Sequence, residues 1–268
     1  MILQIYEVQE PAEAAVLVQM GVDHIGSVLL SAQGWRQPGI RETVRAVQRG
    51  GARSGLIPLF ADEPVLRRLL DYYHPDFVHF CEALSPFPGD EEAAARQCDT
   101  FLHLQQTLRG AFPGVAVMRS LSVPRPGAAC KTSILENLLA QMRLLASESD
   151  FFLLDTLRGN GREAASQPVA GFVGITGEVC DWDLAARLVA ESPIPVILAG
   201  GLGPENAYEA VRRVQPAGVD SCTRTNATDD AGRPVRFRKD LGKIRGMIDE
   251  VRRARAEGKA DTERGRAS

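Results

Sequence analysis

The chain has 268 residues, 44% hydrophobic and 24% charged, with a formal net charge of −3. This is an ordinary globular composition without the basic excess that nucleic-acid binding requires. No basic stretch precedes an apolar signal core, no run approaches the roughly 18 apolar residues of a membrane span, and the five cysteines form no CxxC pair. A cytoplasmic protein with reduced thiols is expected, with no membrane partner, disulfide framework or thiolate zinc site.

Short apolar runs ending in Gly, Pro, Ser or Asp alternate with stretches of helical period, as parallel βα units do. In chain order, strands are expected at Leu3–Val8, His24–Leu30, Ser54–Phe60, Phe77–Cys81, Val115–Ser120, Phe151–Thr156, Pro195–Ala199 and Gly218–Cys222. The intervening helices fall at Pro11–Met20, Ile40–Gln48, Glu63–Tyr73, Glu91–Arg109, Ser133–Ala146, Trp182–Ala190, Pro204–Val214 and Asp240–Arg253. Runs such as Phe151-Phe152-Leu153-Leu154 are apolar on both faces, which suits a sheet covered by helices. Eight repeats with no antiparallel hairpin signal and no GxGxxG predict one α/β domain, a (β/α)8 TIM barrel over residues 1–255. The polar segment 256–268 is expected to be a disordered charged tail. Loops 84–97 and 157–170 lie on the site face, the second as a lid candidate.

Chemistry in such barrels sits at the C-terminal strand ends. After the seventh strand, Gly200-Gly201-Leu202-Gly203 precedes a helix, so its backbone N–H groups form a phosphate cradle. The eighth strand adds Ser221, Thr223 and Arg224, hydroxyl and guanidinium donors suited to the same anion. His79 and Cys81 share an inward face, with His79 a substrate contact, and Arg119 is a candidate for a second anionic group. A metal would need further ligands, for which Asp155 and Glu7 are conceivable, and none is expected. Asp181-Trp182 reads as the cap and anchor of the sixth helix.

The stretches GITGEVCDWDL, PVILAGGLGPENAYEAV, PAGVD and RKDLGKIRGMI resemble the phosphoribosylanthranilate isomerase family, as does, more faintly, EPAEAAVLVQMGVDHIGSVL. The resemblance implies an Amadori rearrangement of an N-substituted phosphoribosylamine, an aldose–ketose isomerisation in tryptophan biosynthesis with no cofactor. It implies Asp155, in Leu153-Leu154-Asp155-Thr156, as general acid, and Arg36 as a contact to the aglycone. The family's general base is a cysteine in Lys-Ile-Cys-Gly-Ile, where this chain reads Gln4-Ile5-Tyr6-Glu7-Val8. Tyr6 occupies the position and Glu7 follows it, and strand alternation places the two on opposite sides. Arg224 stands where the family has a glycine, and Asn226 replaces an acidic position nearby.

Three readings share this phosphate corner: the isomerase or a divergent isomerase on another phosphosugar, a metal-dependent epimerase or aldolase, and a non-catalytic phosphosugar-binding barrel. A phosphorylated small molecule is the expected partner in each, and helix faces leave monomer and homodimer open.

Overall fold

The apolar runs become eight parallel strands: β1 (Ile2–Ile5), β2 (His24–Leu29), β3 (Arg53–Pro58), β4 (Phe77–Phe80), β5 (Ala116–Pro124), β6 (Phe151–Leu157), β7 (Val196–Leu198) and β8 (Gly218–Ser221). They pair in sequence order and close on themselves, β1 meeting β8 from Ile2↔Gly218 to Ile5↔Ser221. The helices are α1 (Pro11–Met20), α2 (Pro38–Arg49), α3 (Glu63–Tyr73), α4 (Glu91–Ala111), α5 (Lys131–Leu145), α6 (Trp182–Glu191), α7 (Ala207–Val214) and α8 (Leu241–Ala267). The chain is therefore a (β/α)8 TIM barrel, seen here in a computed structural model that describes residues 1–158 and 170–267, with side chains through residue 258.

Local sequence fixes the helix ends. Pro11 opens α1, where a missing N–H costs nothing, and Gly21 at φ 91 closes it. Asp181 caps α6 as expected, its Oδ1 accepting from the N–H groups of Asp183 and Leu184. Alternation then sorts the strand residues. Leu154 and Leu198 pack outward with helix residues such as Leu188 and Ala210, while Phe77, Met118, Leu153 and Ile197 fill the barrel.

Four features differ from the expectations. β5 runs on to Pro124 instead of stopping at Ser120, and α7 starts at Ala207, after Pro204. A two-stranded antiparallel ribbon, β9 (Asn226–Thr228) and β10 (Pro234–Lys239), stands between β8 and α8. Its turn is built by Asp229, whose Oδ1 accepts from the N–H groups of Ala231 and Arg233, with Gly232 at φ 76. Finally, the backbone expected to form a disordered tail from 256 continues as helix to Ala267. That stretch is polar but rich in Ala, Glu, Lys and Arg, which are good helix formers. The lid candidate at 157–170 lies largely outside the described residues. No helix among the described residues is long and apolar enough to cross a membrane.

Candidate active site

Two adjoining depressions open at the C-terminal ends of the strands. The first is an apolar cavity walled by Tyr6, Val28, Leu59, Leu153, Phe172 and Val173, with His79, Glu7, Asp155, Asp220 and Cys222 among its polar groups. The second is a polar basin lined by Gly177, Gly200, Gly201, Thr223 and Arg224. Asp155 borders both. Burial pushes its carboxyl up from 3.8 to about 6, and the Thr156 N–H, donating to Oδ1 at 2.7 Å, holds it back from rising further. Gly174 lets the loop cross it: a Cβ there, at φ +109, would stand 2.4 Å from Asp155 Oδ2. The roof is a short backbone pairing, in which Ala83 N–H donates to Gly171 and Val173 N–H to Cys81.

The end of β1 departs from simple alternation. Regular strand geometry stops at Ile5, and Glu7 adopts a left-handed φ of 61. Tyr6 and Glu7 therefore both line the cavity, where alternation had put them on opposite sides. Tyr6 is no base. Burial, and secondarily Asp220, raise its phenol well above 10, and its hydroxyl donates to Met118 Sδ at 3.7 Å. Glu7 is 1% exposed and forms an ion pair with Arg236 of β10.

His79 does enter the cavity. Its Nε2 lies 2.8 Å from Ser120 Oγ, its ring stacks 5.3 Å from Tyr6, and Nδ1 has no hydrogen-bond partner among the described residues. Burial first, then Arg119, lower its pKa to about 3, so it stays a neutral imidazole. Two other expected substrate contacts lie elsewhere. Arg119, in mid-strand because β5 is longer than expected, points outward. It is fully buried, with Nη1 donating to Glu82 at 2.6 Å and Nε to Gln105 at 2.9 Å. Its guanidinium lies 4.1 Å from the centre of the Phe101 ring on α4, so it is a structural ion pair rather than a substrate contact. Arg36 is exposed and stacks on Tyr72 at 5.0 Å, outside the cavity lining.

The basin gathers most of the expected phosphate ligands. Gly200 and Gly201 take φ 82 and 57. A Cβ on Gly201 would come within 2.6 Å of the Glu178 backbone, so two loops meet there main chain to main chain. Asn206 staples the loop, accepting from Gly203 N–H and donating to Gly201 O, both at 2.9 Å. No backbone bond among the described residues takes up the N–H of Gly200 or Gly201. Thr223 lines the basin. Arg224 reaches its rim, pairing with Glu205 and donating to Gly177 O at 3.2 Å. Ser221 does not face the basin: it is buried, and its hydroxyl donates to Leu202 O at 2.6 Å, bracing the loop from behind.

Three groups lining or touching the site were not anticipated. Cys222 is a thiol held protonated by burial, and Glu7 opposes its ionisation. Asp220 is raised well above 3.8 by burial and then by Asp155, and accepts from Gln4 Nε2 at 3.2 Å inside the barrel. Arg236 arrives on the unexpected ribbon. The alternation Pro234-Val235-Arg236-Phe237-Arg238, exposed and half-buried in turn, is a sequence signal for the strand that carries it, though not for its partner. Among the described residues no group of three His, Cys, Asp or Glu side chains converges to hold a metal ion.

Residues 135–223 match a family model described as N-(5'phosphoribosyl)anthranilate (PRA) isomerase. N-(5'-phosphoribosyl)anthranilate isomerase 1 of Methanosarcina mazei is 39% identical over 145 residues, 53% of this chain and 54% of that protein. The chain thus spans about half the length of the curated relative it matches. The solved structure of N-(5'-phosphoribosyl)anthranilate isomerase from Pyrococcus furiosus overlays with a TM-score of 0.63 at 19% identity, covering 94% of this chain and 99% of that one. A structure of mutually generated monomers of the dimeric enzyme from Thermotoga maritima gives 0.59 at 16% identity, over 94% and 99%. At these identities the overlays show the barrel. Asp155, Gly200, Gly201 and Thr223 all fall inside the matched segment, which is where the chain is similar to the phosphoribosylanthranilate isomerase family.

Proposed function

We propose that the chain isomerises an N-substituted 5-phosphoribosylamine to the corresponding ketose phosphate, as phosphoribosylanthranilate isomerase does in tryptophan biosynthesis. The observation that carries this reading is Asp155, a carboxyl raised to about 6 where the apolar cavity and the glycine-lined basin meet. A ligand with its phosphate at Gly200, Gly201, Thr223 and Arg224 and its N-substituent in the cavity brings its ribose ring to that carboxyl. Asp155 gives a proton to the ring oxygen as the amine lone pair pushes, and the C1′–O bond breaks to leave an iminium. Glu7 takes the C2′ proton: the C–H pair becomes the C1′–C2′ double bond and the iminium pair returns to nitrogen. The resulting enolamine loses its C2′ hydroxyl proton and gains one at C1′, so the reaction is a net isomerisation without a cofactor. With a pKa near 6, roughly a tenth of Asp155 is protonated at pH 7, enough for an acid that must also be regenerated. The His79 imidazole is a neutral contact for the sugar. A cytoplasmic monomer or homodimer that binds neither nucleic acid nor membrane goes with this reading.

One observation favours a second reading, a related isomerase whose substrate lacks the anthranilate carboxylate. None of the described residues lining the cavity is Lys or Arg, and Arg36 is stacked on Tyr72. The deciding assay is conversion of phosphoribosylanthranilate by purified protein, followed by product fluorescence, with Asp155→Asn as control. Wild-type turnover reduced about 10²- to 10⁴-fold in the variant is expected. Ribose 5-phosphate binding without turnover favours the second reading, and neither binding nor turnover overturns both.

A further inference from the structure

Glu7 brings a carboxylate into a buried position beside the reacting centre, and its counter-charge comes from the ribbon that the barrel pattern does not require. Arg236 Nε donates to Glu7 Oε1 at 2.7 Å, and Nη2 donates to the same oxygen. With both bonds on Oε1, Oε2 is buried and receives no N–H or O–H donor among the described residues, on a side chain that lines the cavity. The Cys222 thiol, held protonated chiefly by burial, is a further hydrogen-bonding neighbour of the Glu7 side chain.

The backbone is bent at both ends of this pair. Glu7 at φ 61 and Phe237, next to Arg236, at φ 62 are both non-glycine residues in the left-handed region, a strain that persists only where the surroundings enforce it. The ribbon's root is fastened to the barrel by Lys239, whose N–H donates to Glu13 at 2.8 Å and whose Nζ donates to Cys222 O at 3.1 Å. Lys243 Nζ adds a bond to Asn226 O at 2.8 Å. Phe237 packs, half-buried, against the cluster inside the barrel, and the Arg236 guanidinium lies 4.7 Å from its ring centre. The guanidinium is thus fixed in place while its side chain remains 38% exposed.

We infer that Arg236 is the positioning residue for the base: by gripping Oε1 it presents Oε2 to the substrate, and the β9–β10 ribbon supplies what the missing cysteine of β1 would otherwise do alone. This rests on the reading above, in which Glu7 takes the C2′ proton. The test is steady-state kinetics on phosphoribosylanthranilate with Arg236→Ala, Arg236→Lys, Glu7→Gln and the Glu7→Gln/Arg236→Ala double variant. Arg236→Ala is expected to lower kcat about 10- to 100-fold with KM within about threefold of wild type, because misaligning a base slows the chemistry more than the binding. The isotope effect on kcat with C2′-deuterated substrate should rise, and added methylguanidinium or the lysine variant should restore part of the rate. In the Glu7→Gln background the same substitution should change kcat by less than about twofold, since the group it positions is gone.

Full activity in Arg236→Ala overturns the inference. So does a loss of equal size in the Glu7→Gln background, or a lower rate with unchanged isotope effect and a lower Tm, either of which makes Arg236 a structural residue. Wild-type protein that does not turn over phosphoribosylanthranilate counts instead against the function on which the inference rests, and takes the inference with it.

Discussion

Asp155→Asn should make the protein less active and more stable, and the gain should depend on pH. Burial raises the carboxyl from 3.8 to about 6, so the folded chain holds this proton more tightly than the unfolded chain does. The folded state therefore keeps an extra proton between about pH 4 and pH 6, and stability falls as pH rises through that window and stays flat above it. A shift of about 2.2 units at 1.36 kcal/mol each corresponds to about 3 kcal/mol. Asp155 is only half-buried as a residue, and water reaching it from the cavity discounts the figure to about 1.5–3 kcal/mol. Asparagine carries no proton and can still accept from the Thr156 N–H, so it escapes the decline. Removing the charge also eases Asp220, whose carboxyl Asp155 helps to raise, and this acts in the same direction. The assay is urea unfolding of both proteins at pH 4, 5, 6 and 7. The stability difference should widen by that amount as pH rises, alongside the loss of turnover. A constant difference at all four pH values would refute the claim that folding raises the Asp155 carboxyl above its ordinary range.

Arg119→Met alone should cost about 3–5 kcal/mol in urea unfolding by stranding Glu82, and adding Glu82→Leu should recover most of it. Ribose 5-phosphate affinity should not change; weaker binding at unchanged stability would return Arg119 to the site. Gly201→Ala, which forces a Cβ to within 2.6 Å of the Glu178 backbone at φ +57, should weaken ribose 5-phosphate binding by at least about tenfold in calorimetry, a loss of 1.4 kcal/mol. Unchanged affinity would remove the glycine loop from the phosphate site. His79, with its pKa near 3, should show ring proton shifts that do not move between pH 5 and 8 in NMR, and titration near 6.5 would contradict its burial against Arg119.

The barrel and the glycine loop that lines the basin were legible because both are written locally. Helices α1 and α3 begin and end at the expected residues, since Pro11, Gly21 and Asp62 act within a turn of themselves. The glycines of the basin and the Asp155 strand end are likewise consecutive in sequence. The misses concern where side chains point at or near the strand ends, and which distant residues they meet there. Four more residues of β5 turned Arg119 from a rim group into a buried one. One left-handed residue brought Glu7 to the same cavity as Tyr6. Ser221 kept the strand's outward phase and so braces Leu202 instead of facing the basin. Arg236 could not be assigned from its neighbours because its partner lies 229 residues away.

The division between the two halves of the site has a physical logic. The matched segment, 135–223, holds Asp155 and most of the glycine-lined basin, while Glu7 and Arg236 lie outside it at opposite ends of the chain. A phosphate held by main-chain N–H groups needs a particular backbone, because two loops must pack with no Cβ between them, as Gly201 and Glu178 do. A proton acceptor needs only a basic atom at the right point, and different side chains can reach that point from adjacent positions if the main chain bends. Tyr6 illustrates the alternative: it fills the inward position at the end of β1, yet as a phenol raised far above neutrality it contributes shape and stacking rather than basicity. Once that position is occupied by an inert ring, the next residue can serve only by leaving the strand conformation. A carboxylate buried there then needs a counter-charge from outside the barrel sheet, and the ribbon carrying Arg236 meets that need.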